Sequence, residues 1–470
     1  MIQYLRSIVK QFIRKYLHEK IELLFALWYN FHVCVKICSK ETVAMNKNKI
    51  KKFDFAKKPH SPAPWLMWVA KTVVAWPYMK RRGAVLHKHN MEALEGKPYL
   101  MLCNHASLVD LCMMLKATHP YPANNVMTLE GFNTYTEPLM RTLGVLGKRK
   151  YVSDVTLVRN IRYCLHELKN IMVIFPEARY SLDGCTSFLA ESTGGLVRML
   201  RVPVVMLKIH GNFIDLPQWN KHSKKSYVEA EMYPLFTEEE VRSLSVEEIN
   251  ARISEAFQYD DFAWQKEKGI VIDHPQRADG LHSLLYKCPS CLTEGETEST
   301  HDTLTCRHCG KQWFMETDGS LRALSGETEF SHIPDWSNWE RECVRKEIED
   351  GTYYFEDEIR LETLPNAWRF YKHGKGKLVQ TPEGTTITGT CYGEPFELHK
   401  SAMNQSSMHI EYDYLGRGDC VDISTLDDSY WCYLTKRDAI TKLSFATEEI
   451  FLAAQRKVQK TARSKKEETV

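Results

Sequence analysis

Short apolar runs alternate with amphipathic stretches through the second hundred residues of the chain. The runs Tyr99–Cys103, Ile171–Phe175 and Val202–Ile209 predict buried strands. Apolar residues recur at helical spacing in Leu108–Lys116 and Asp154–Leu168, which predicts helices. Together these elements predict an α/β domain whose mixed, mainly parallel sheet is flanked by helices.

The last third of the chain has a different pattern, with short strands separated by turn residues. Helices are expected before it at Thr237–Phe257 and Glu342–Glu349, and a final helix over Ser444–Val458. Several strands closed by one helix resemble a pleckstrin-homology-like domain in architecture. A generic small barrel fits as well, and no function follows from the resemblance. The predicted strands are Thr352–Leu361, Trp368–Tyr371, Leu378–Thr381, Thr385–Thr390, Met408–Tyr412, Asp419–Ile423 and Tyr430–Thr435.

Two stretches near the N-terminus have the pattern of helices at a membrane surface. The first 25 residues place apolar side chains on one helical face and cations elsewhere. Trp65–Tyr78 is apolar, contains three tryptophans and is followed by Lys80-Arg81-Arg82, which suits either the bilayer interface or a buried core helix. Between them, Ile21–Cys38 is too interrupted by polar residues to predict a transmembrane span.

The charge of the chain is unevenly distributed. The formal net charge is +2, but Met1–Arg82 holds 17 basic residues against four acidic ones. This segment is expected to meet an anionic partner, either a membrane surface or a nucleic acid. Apart from two CxxC pairs, most of the 14 cysteines are scattered singly, and no signal-peptide cleavage pattern follows the basic start. We therefore expect a cytoplasmic protein that associates peripherally with the membrane.

His105 and Asp110 are the leading candidates for catalytic residues. Residues five apart on one helix point about 140° away from each other. We therefore expect His105 in the turn after the strand that ends at Cys103, and Asp110 in the first turns of the following helix. A carboxylate bonded to one ring nitrogen leaves the other nitrogen able to accept a proton from a substrate hydroxyl. With 18 histidines in the chain, a structural histidine is the alternative.

Three sequence blocks accompany predicted strands. The block Asn104-His105-Ala106-Ser107-Leu108-Val109-Asp110 follows one strand, Phe175-Pro176-Glu177-Ala178-Arg179-Tyr180-Ser181 ends a second, and Val202-Pro203-Val204-Val205 opens a third. From about Pro62 to Tyr259 the chain thereby resembles the lysophosphatidate (1-acylglycerol-3-phosphate) acyltransferase family. The resemblance implies that His105 deprotonates the acceptor hydroxyl, which attacks the thioester of an acyl-CoA or acyl carrier protein. It also implies that Asp110 orients His105 and that no acyl-enzyme forms.

The resemblance further implies that Asn104, Ser107 and Glu177 bind substrate. The block at residues 175–181 departs from the family's usual Phe-Pro-Glu-Gly-Thr-Arg-Ser, since Ala178, Arg179 and Tyr180 replace its glycine, threonine and arginine. Alanine disfavours the positive φ that glycine allows at such a turn. Arg179 is the expected substitute phosphate ligand, because a guanidinium suits bidentate phosphate binding. An arginine paired with Glu177 or solvated is the alternative.

Another block, Leu143-Gly144-Val145-Leu146-Gly147-Lys148-Arg149-Lys150, ends in three adjacent cations. It corresponds to a family block of apolar residues that ends in arginine. Lys148 and Arg149 are therefore expected to bind the acceptor phosphate, with Arg149 the first choice. A solvated charge cluster is the competing interpretation.

Other reaction types find little support in the sequence. The chain has no Gly-x-Ser-x-Gly elbow, no P-loop and no His-Glu-x-x-His. Cys103 and Cys112 lie near His105, but both sit among apolar residues, where a buried thiol is expected rather than a nucleophile.

Cys288, Cys291, Cys306 and Cys309 form two CxxC pairs separated by 14 residues. This spacing predicts a structural zinc site with four thiolate ligands in a zinc ribbon, in preference to a redox pair. Acidic residues around the ribbon make nucleic acid a poor partner, and a staple between two domains is favoured.

The chain is thus predicted to be a peripheral membrane enzyme that acylates the sn-2 hydroxyl of 1-acylglycerol-3-phosphate. Another acceptor, such as glycerol-3-phosphate or a different lysophospholipid, and an inactive lipid-binding scaffold are the alternatives. The predicted parts are an N-terminal segment and linker (1–60), the acyltransferase domain (61–275), the zinc ribbon (276–328), the β-rich domain (329–458) and a charged tail (459–470).

Overall fold

The computed structural model of the chain describes residues 50–133 and 136–467. The helix predicted over the first 25 residues and the apolar stretch Ile21–Cys38 lie outside these residues. The described chain forms an α/β part, a small four-stranded sheet, and a second seven-stranded sheet followed by a long helix.

The α/β part is built on a seven-stranded sheet with the order β1-β7-β6-β2-β5-β3-β4. Every neighbouring pair is parallel except β6 and β7, which confirms the predicted mixed, mainly parallel sheet. The strands are β1 (Val85–Lys88), β2 (Leu100–Cys103), β3 (Ala123–Thr128), β4 (Val145–Lys148), β5 (Ile171–Ile174), β6 (Val204–His210) and β7 (Glu229–Phe236).

Helices cover both faces of this sheet. Alternate residues of its central strand β2 face opposite sides, and both sets are apolar and buried. Met101 and Cys103 of β2 pack in one core cluster, and Leu100 and Leu102 pack in another. A π-helical stretch, Ala70–Ala75, joins the first two helices. The helices are α1 (Pro64–Val69), α2 (Trp76–Lys80), α3 (Leu108–Ala117), α4 (Thr136–Thr142), α5 (Val155–His166), α6 (Ser192–Leu200), α7 (Asn212–Asp215), α8 (Glu238–Ser243), α9 (Val246–Ala256), α10 (Asp261–Glu267) and α11 (Leu281–Leu284).

The single helix predicted over Thr237–Phe257 is wrong, since α8 and α9 divide it. Each helix has its own N-terminal capping box, formed by Thr237 with Glu240 and by Ser245 with Glu248. The Ser245 cap requires extended backbone in front of α9, which interrupts the helix between the two segments.

The four-stranded antiparallel sheet carries the CxxC pairs in its loops and at the end of one strand. Its order is β11-β10-β9-β8. The strands are β8 (Thr297–Thr300), β9 (Thr303–Cys306), β10 (Gln312–Met315) and β11 (Leu321–Ala323).

The C-terminal sheet has seven antiparallel strands and a final helix, as the predicted β-rich domain requires. Two predicted strands, Trp368–Tyr371 and Leu378–Thr381, are replaced by one long strand, and a further strand at Glu394–Ser401 was not predicted. The resemblance to a pleckstrin-homology-like domain stays a prediction. The elements are α12 (Ile333–Glu349), β12 (Phe355–Thr363), β13 (Tyr371–Thr381), β14 (Gly384–Cys391), β15 (Glu394–Ser401), β16 (His409–Glu411), β17 (Cys420–Ser424), β18 (Ser429–Leu434) and α13 (Ile440–Glu467).

Shared hydrophobic cores join the three parts. One cluster runs from Ala106 and Phe213 of the α/β part to Trp313 of the small sheet and Trp336 of α12. Another joins Phe132 and its neighbours to side chains of the C-terminal sheet. The end of the α/β sheet that carries residues 104–110 is therefore packed against both additional parts.

The tryptophan-rich segment forms α1, the π-helical stretch and α2. Met67, Ala75 and Met79 pack against α3 in a common core, whereas Trp65, Trp68 and Trp76 are 68%, 64% and 45% exposed. Among residues 50–133 and 136–467, none of the helices combines the length and apolarity needed to cross a membrane.

Candidate active site

His105 lies in the turn between β2 and α3, with Asp110 in the first turn of the helix. The Nδ1 atom of His105 is 2.8 Å from Oδ2 of Asp110. Asp110 is fully buried, whereas the His105 side chain remains 25% exposed. The Nε2 atom has no hydrogen-bond partner among the described residues. The pair therefore has the geometry of an oriented imidazole with one nitrogen free to accept a proton.

The Asp110 carboxylate is held by donors other than the imidazole. Its Oδ2 atom accepts the backbone N–H groups of Ala106 at 2.6 Å and Ser107 at 3.0 Å. The Ser107 hydroxyl caps α3 by accepting the Val109 N–H at 3.3 Å. The same carboxylate thus orients His105 and fixes the backbone of the turn that carries it.

Asn212, which the sequence analysis missed, supplies a further hydrogen bond to Asp110. Its side-chain amide donates to Oδ1 of Asp110 at 2.7 Å, and its backbone carbonyl oxygen accepts a hydrogen bond from the Ser107 hydroxyl at 2.9 Å. Asn212 follows Gly211, which has a φ of +80° and whose Cβ, if present, would collide with the carbonyl oxygen of Tyr227. No local pattern marks Asn212, because it meets Asp110 only where the ends of β2 and β6 converge.

Glu177 and Asn104 hold the same turn in place. Glu177 is buried and accepts the His105 N–H at 3.0 Å, the Ser187 N–H at 2.8 Å and the Tyr259 hydroxyl at 3.0 Å. Burial raises the pKa of the Glu177 carboxyl, and these hydrogen bonds oppose the rise. The Asn104 side chain exchanges two 2.8 Å hydrogen bonds with the backbone of Ile209.

Two aromatic rings flank the imidazole. The Phe175 ring is stacked on His105 at a centroid distance of 4.3 Å, and the Tyr180 ring is tilted by 60° at 4.4 Å. The Ser181 N–H donates to the carbonyl oxygen of His105 at 2.8 Å, which joins the 175–181 block to the turn that carries His105. The sequence analysis placed Tyr180 within the block but gave it no role.

Arg149, the first choice for a phosphate ligand, is already hydrogen-bonded to other parts of the protein. Arg149 donates to the carbonyl oxygens of Leu364, Pro365 and Asp427 at 3.0, 2.8 and 3.2 Å and to the Ser429 hydroxyl at 2.8 Å. The Arg149 guanidinium is thus bound to the C-terminal part.

Arg179 and Lys150, in contrast, are paired with acidic side chains. Arg179 is buried and bonds to Glu448 of α13 at 2.9 Å, and Lys150 contacts Glu130. Lys148 has no ion pair among the described residues. Burial lowers the pKa of its ammonium group, and Asp154 opposes the shift.

The thiols of Cys103 and Cys112, near His105, are held in their unreactive protonated form. Burial raises the pKa of Cys103 well above its usual range, and it raises the pKa of Cys112 to about 12. Since the thiolate is the nucleophilic form, neither side chain is poised to attack a substrate.

A separate cluster could hold a metal ion. The Sγ atoms of Cys288, Cys291, Cys306 and Cys309 all lie within 4.8 Å of one another. The Sγ atoms of Cys288 and Cys309 are 3.8 Å apart, and those of Cys291 and Cys306 are 3.7 Å apart. A tetrahedral zinc–thiolate site with bonds of about 2.3 Å requires sulfur–sulfur separations of about 3.8 Å. The donor set and its spacing therefore fit such a site.

A protein-family model and a solved structure are similar to parts of the chain. Residues 85–210 match the protein-family model described as Acyltransferase. Among solved structures, the chain is similar to the 1-acyl-sn-glycerophosphate (LPA) acyltransferase PlsC from Thermotoga maritima, with 16% sequence identity, coverage of 56% of this chain and 98% of that chain, and a TM-score of 0.33. No curated protein matches the chain. The matched segment contains the His105–Asp110 pair and the 175–181 block, and it supports an acyltransferase domain in this part of the chain.

The backbone at Ala178 gives a stability prediction. Ala178 has a φ of +56°, in the left-handed region where a Cβ is unfavourable by about 1–2 kcal/mol. We expect Ala178→Gly to raise the free energy of unfolding by up to about 1 kcal/mol, less the entropy that glycine adds to the unfolded chain. Chemical denaturation measures the change. The control Ala251→Gly, in the exposed part of α9, should lower stability by about 1 kcal/mol. A loss of stability in both variants would contradict the prediction.

Proposed function

We propose that the protein transfers a fatty acyl group from the thioester of acyl-CoA or acyl carrier protein to a free hydroxyl of a lysophospholipid. The first acceptor to consider is 1-acylglycerol-3-phosphate, acylated at its sn-2 hydroxyl. The observation that carries the proposal is the His105–Asp110 pair, in which Asp110 holds Nδ1 at 2.8 Å. The match of residues 85–210 to the acyltransferase family supports the reaction class.

In the proposed reaction His105 is the general base. Its Nε2 atom takes the proton of the acceptor hydroxyl while the hydroxyl oxygen bonds to the thioester carbonyl carbon. The carbonyl π electrons move onto oxygen and then re-form the double bond as the carbon–sulfur bond breaks. The departing sulfur takes the proton from His105, which gives an ester and a free thiol. The hydrogen bond from Nδ1 to Asp110 stabilises the imidazolium that exists between these two transfers.

The proposed substrate contacts depend on which side chains are not already bonded to other protein groups. Lys148 is proposed as the first phosphate ligand, since it has no ion pair among the described residues. Arg149 and Arg179 would contact the acceptor only by giving up hydrogen bonds to the C-terminal part. We propose that Asn104, Ser107 and Glu177 act on the substrate through the shape of the His105 turn, because their side chains bond to protein groups.

Because Arg149 and Arg179 are hydrogen-bonded to the C-terminal part, a second kind of acceptor should also be tested. If Arg149 and Arg179 stay bound to the C-terminal part, a phosphomonoester has fewer cations to contact than the sequence predicted. Another lysophospholipid, or glycerol-3-phosphate, would use the same base and the same thioester. A panel of acceptors at equal concentration distinguishes these possibilities by their kcat/KM.

The activity prediction concerns His105. We expect His105→Ala to lower the rate of acyl transfer by about 10²–10⁴-fold, because the variant lacks the general base. Release of free thiol from acyl-CoA in the presence of lysophosphatidate measures the rate. The control His399→Ala removes an exposed imidazole of β15 and should keep the wild-type rate. Full activity in His105→Ala would reject the assignment. Vesicle binding without thioester consumption by the wild type would favour an inactive lipid-binding scaffold.

Membrane association is proposed through the segment 64–81. Its three exposed tryptophans and the exposed cations Lys80 and Arg81 suit the interface of an anionic leaflet. This segment packs on α3, the helix that begins beside His105. A bilayer bound there would supply the acceptor close to the active site, on the cytoplasmic face.

Vesicle binding tests this surface. We expect the double variant Trp65→Ala/Trp68→Ala to bind vesicles of phosphatidylcholine and phosphatidylglycerol at least about tenfold more weakly, since each indole buries a large apolar surface. Sedimentation with vesicles of this composition gives the partition coefficient. The control Val155→Ala/Leu426→Ala removes two other side chains that are 85% and 66% exposed, and it should bind like the wild type. Equal binding by both double variants would remove the tryptophans from the membrane surface.

The four cysteines are proposed to hold a structural zinc ion. Four thiolates leave no open coordination position, so the metal would stabilise the fold and take no part in the reaction. The cluster belongs to the core that also contains Ala106, next to His105. Zinc is thus proposed to act as a staple between the α/β part and the C-terminal part.

The zinc prediction is about one zinc ion per chain under reducing conditions, measured by elemental analysis of the purified protein. Cys306→Ser should lose the metal and unfold at a lower temperature, because structural zinc binding contributes folding free energy. Cys343→Ser, in α12 and outside the cluster, should keep both the zinc and the unfolding temperature. A zinc content near zero in the reduced wild type would contradict the proposal.

A further inference from the structure

Tyr180 is fixed beside the catalytic base. Its ring centroid is 4.4 Å from that of His105, and its neighbour Ser181 donates a 2.8 Å backbone hydrogen bond to the carbonyl oxygen of His105. Phe175 flanks the imidazole as well, at 4.3 Å. Tyr180 is half-buried. Its phenol is therefore placed by both packing and backbone contacts at the end of the sheet where the reaction is proposed to occur.

The hydroxyl of Tyr180 has no hydrogen-bond partner among residues 50–133 and 136–467. Two other tyrosine hydroxyls are engaged: Tyr259 donates to Glu177 at 3.0 Å, and Tyr412 bonds to Thr441 at 2.8 Å. Burial raises the pKa of Tyr180, and the nearby carboxylate of Asp110 raises it further. The phenol is therefore protonated at neutral pH and has a donor available for a bound molecule.

The proposed reaction creates a negative charge that needs such a donor. An oxyanion forms on the carbonyl oxygen of the thioester when the acceptor oxygen, deprotonated by His105, bonds to the carbonyl carbon. The carboxylates of Asp110, Glu130 and Glu411 all lie close enough to Tyr180 to raise its pKa, so this region disfavours a second negative charge. Two of the expected cations, Arg149 and Arg179, are bound by the C-terminal part.

We propose that Tyr180 is a catalytic residue whose phenol O–H donates a hydrogen bond to the oxyanion formed on the thioester carbonyl. This role rests on the proposed acyl transfer. As the acceptor oxygen bonds to the carbonyl carbon, its proton goes to Nε2 of His105 and the π electron pair goes to the carbonyl oxygen, which Tyr180 contacts. When the carbon–sulfur bond breaks, that pair re-forms the ester carbonyl and the sulfur receives the proton from His105. Tyr180 keeps its own proton throughout.

The test is Tyr180→Phe in the full chain, which removes one oxygen and keeps the ring against His105. Because the lost hydrogen bond exists only in the transition state, kcat should fall by about 10²-fold while KM for lysophosphatidate and for acyl-CoA stays within about twofold of the wild type. Thermal unfolding of the variant should match that of the wild type. The control is Tyr163→Phe: Tyr163 lies on α5, its ring contacts Lys58, and the variant should leave kcat and both KM values unchanged.

Two outcomes would overturn the role of Tyr180 alone. In one, the wild type transfers acyl groups and Tyr180→Phe keeps the full kcat, so the phenol only packs against His105. In the other, KM for the acceptor rises at an unchanged kcat, so the phenol binds the acceptor in the ground state. If the wild type transfers no acyl group to any acceptor in the panel, the proposed function and this inference fail together.

Discussion

The buried carboxylate of Asp110 is the constraint on which the arrangement of the site depends. It accepts hydrogen bonds from the His105 ring, from the backbone of Ala106 and Ser107, and from the amide of Asn212. A buried carboxylate without such donors would be strongly destabilised, so all four must be present together. The donors come from the turn after β2 and from the residues after β6. The ends of these two strands are consequently fixed relative to each other, and the His105 ring is oriented by the same carboxylate that joins them.

A second set of buried charges fixes the C-terminal part on this end of the sheet. Arg179 and Arg341 both pair with Glu448, which also accepts the Ser407 hydroxyl. Removing one member of such a set would leave an unpaired buried charge, a loss of about 3–5 kcal/mol. Arg149 is also bound to the C-terminal part, through hydrogen bonds to backbone carbonyl oxygens and to the Ser429 hydroxyl. Arg149 and Arg179 therefore have a structural use at this end of the sheet, which is why the proposed substrate contacts involve uncharged donors and Lys148.

The local patterns of the sequence were sufficient to predict the elements that carry His105 and Asp110. The spacing of His105 and Asp110 excluded a single helix, and the structure has the predicted strand, turn and helix. The edge strands β1 and β4 were missed because they are short and not continuously apolar, and β15 was missed because its exposed side carries polar residues. The partners of Asn212, Arg149 and Arg179 lie 102, 215 and 269 residues away along the chain. Such contacts are set by the tertiary fold and leave no trace in a local pattern.

The cysteine cluster is connected to the active site through the hydrophobic core. Cys288 and Cys306 are buried in the same cluster as Trp313, Trp336 and Ala106. Ala106 is also one of the backbone donors to Asp110. A close-packed core transmits changes of shape, since it contains few voids that could absorb them. The geometry of the small sheet therefore bears on the turn that carries His105, although the cysteines take no part in the proposed chemistry. This continuity gives a physical reason for a four-cysteine module to follow an acyltransferase domain in one chain.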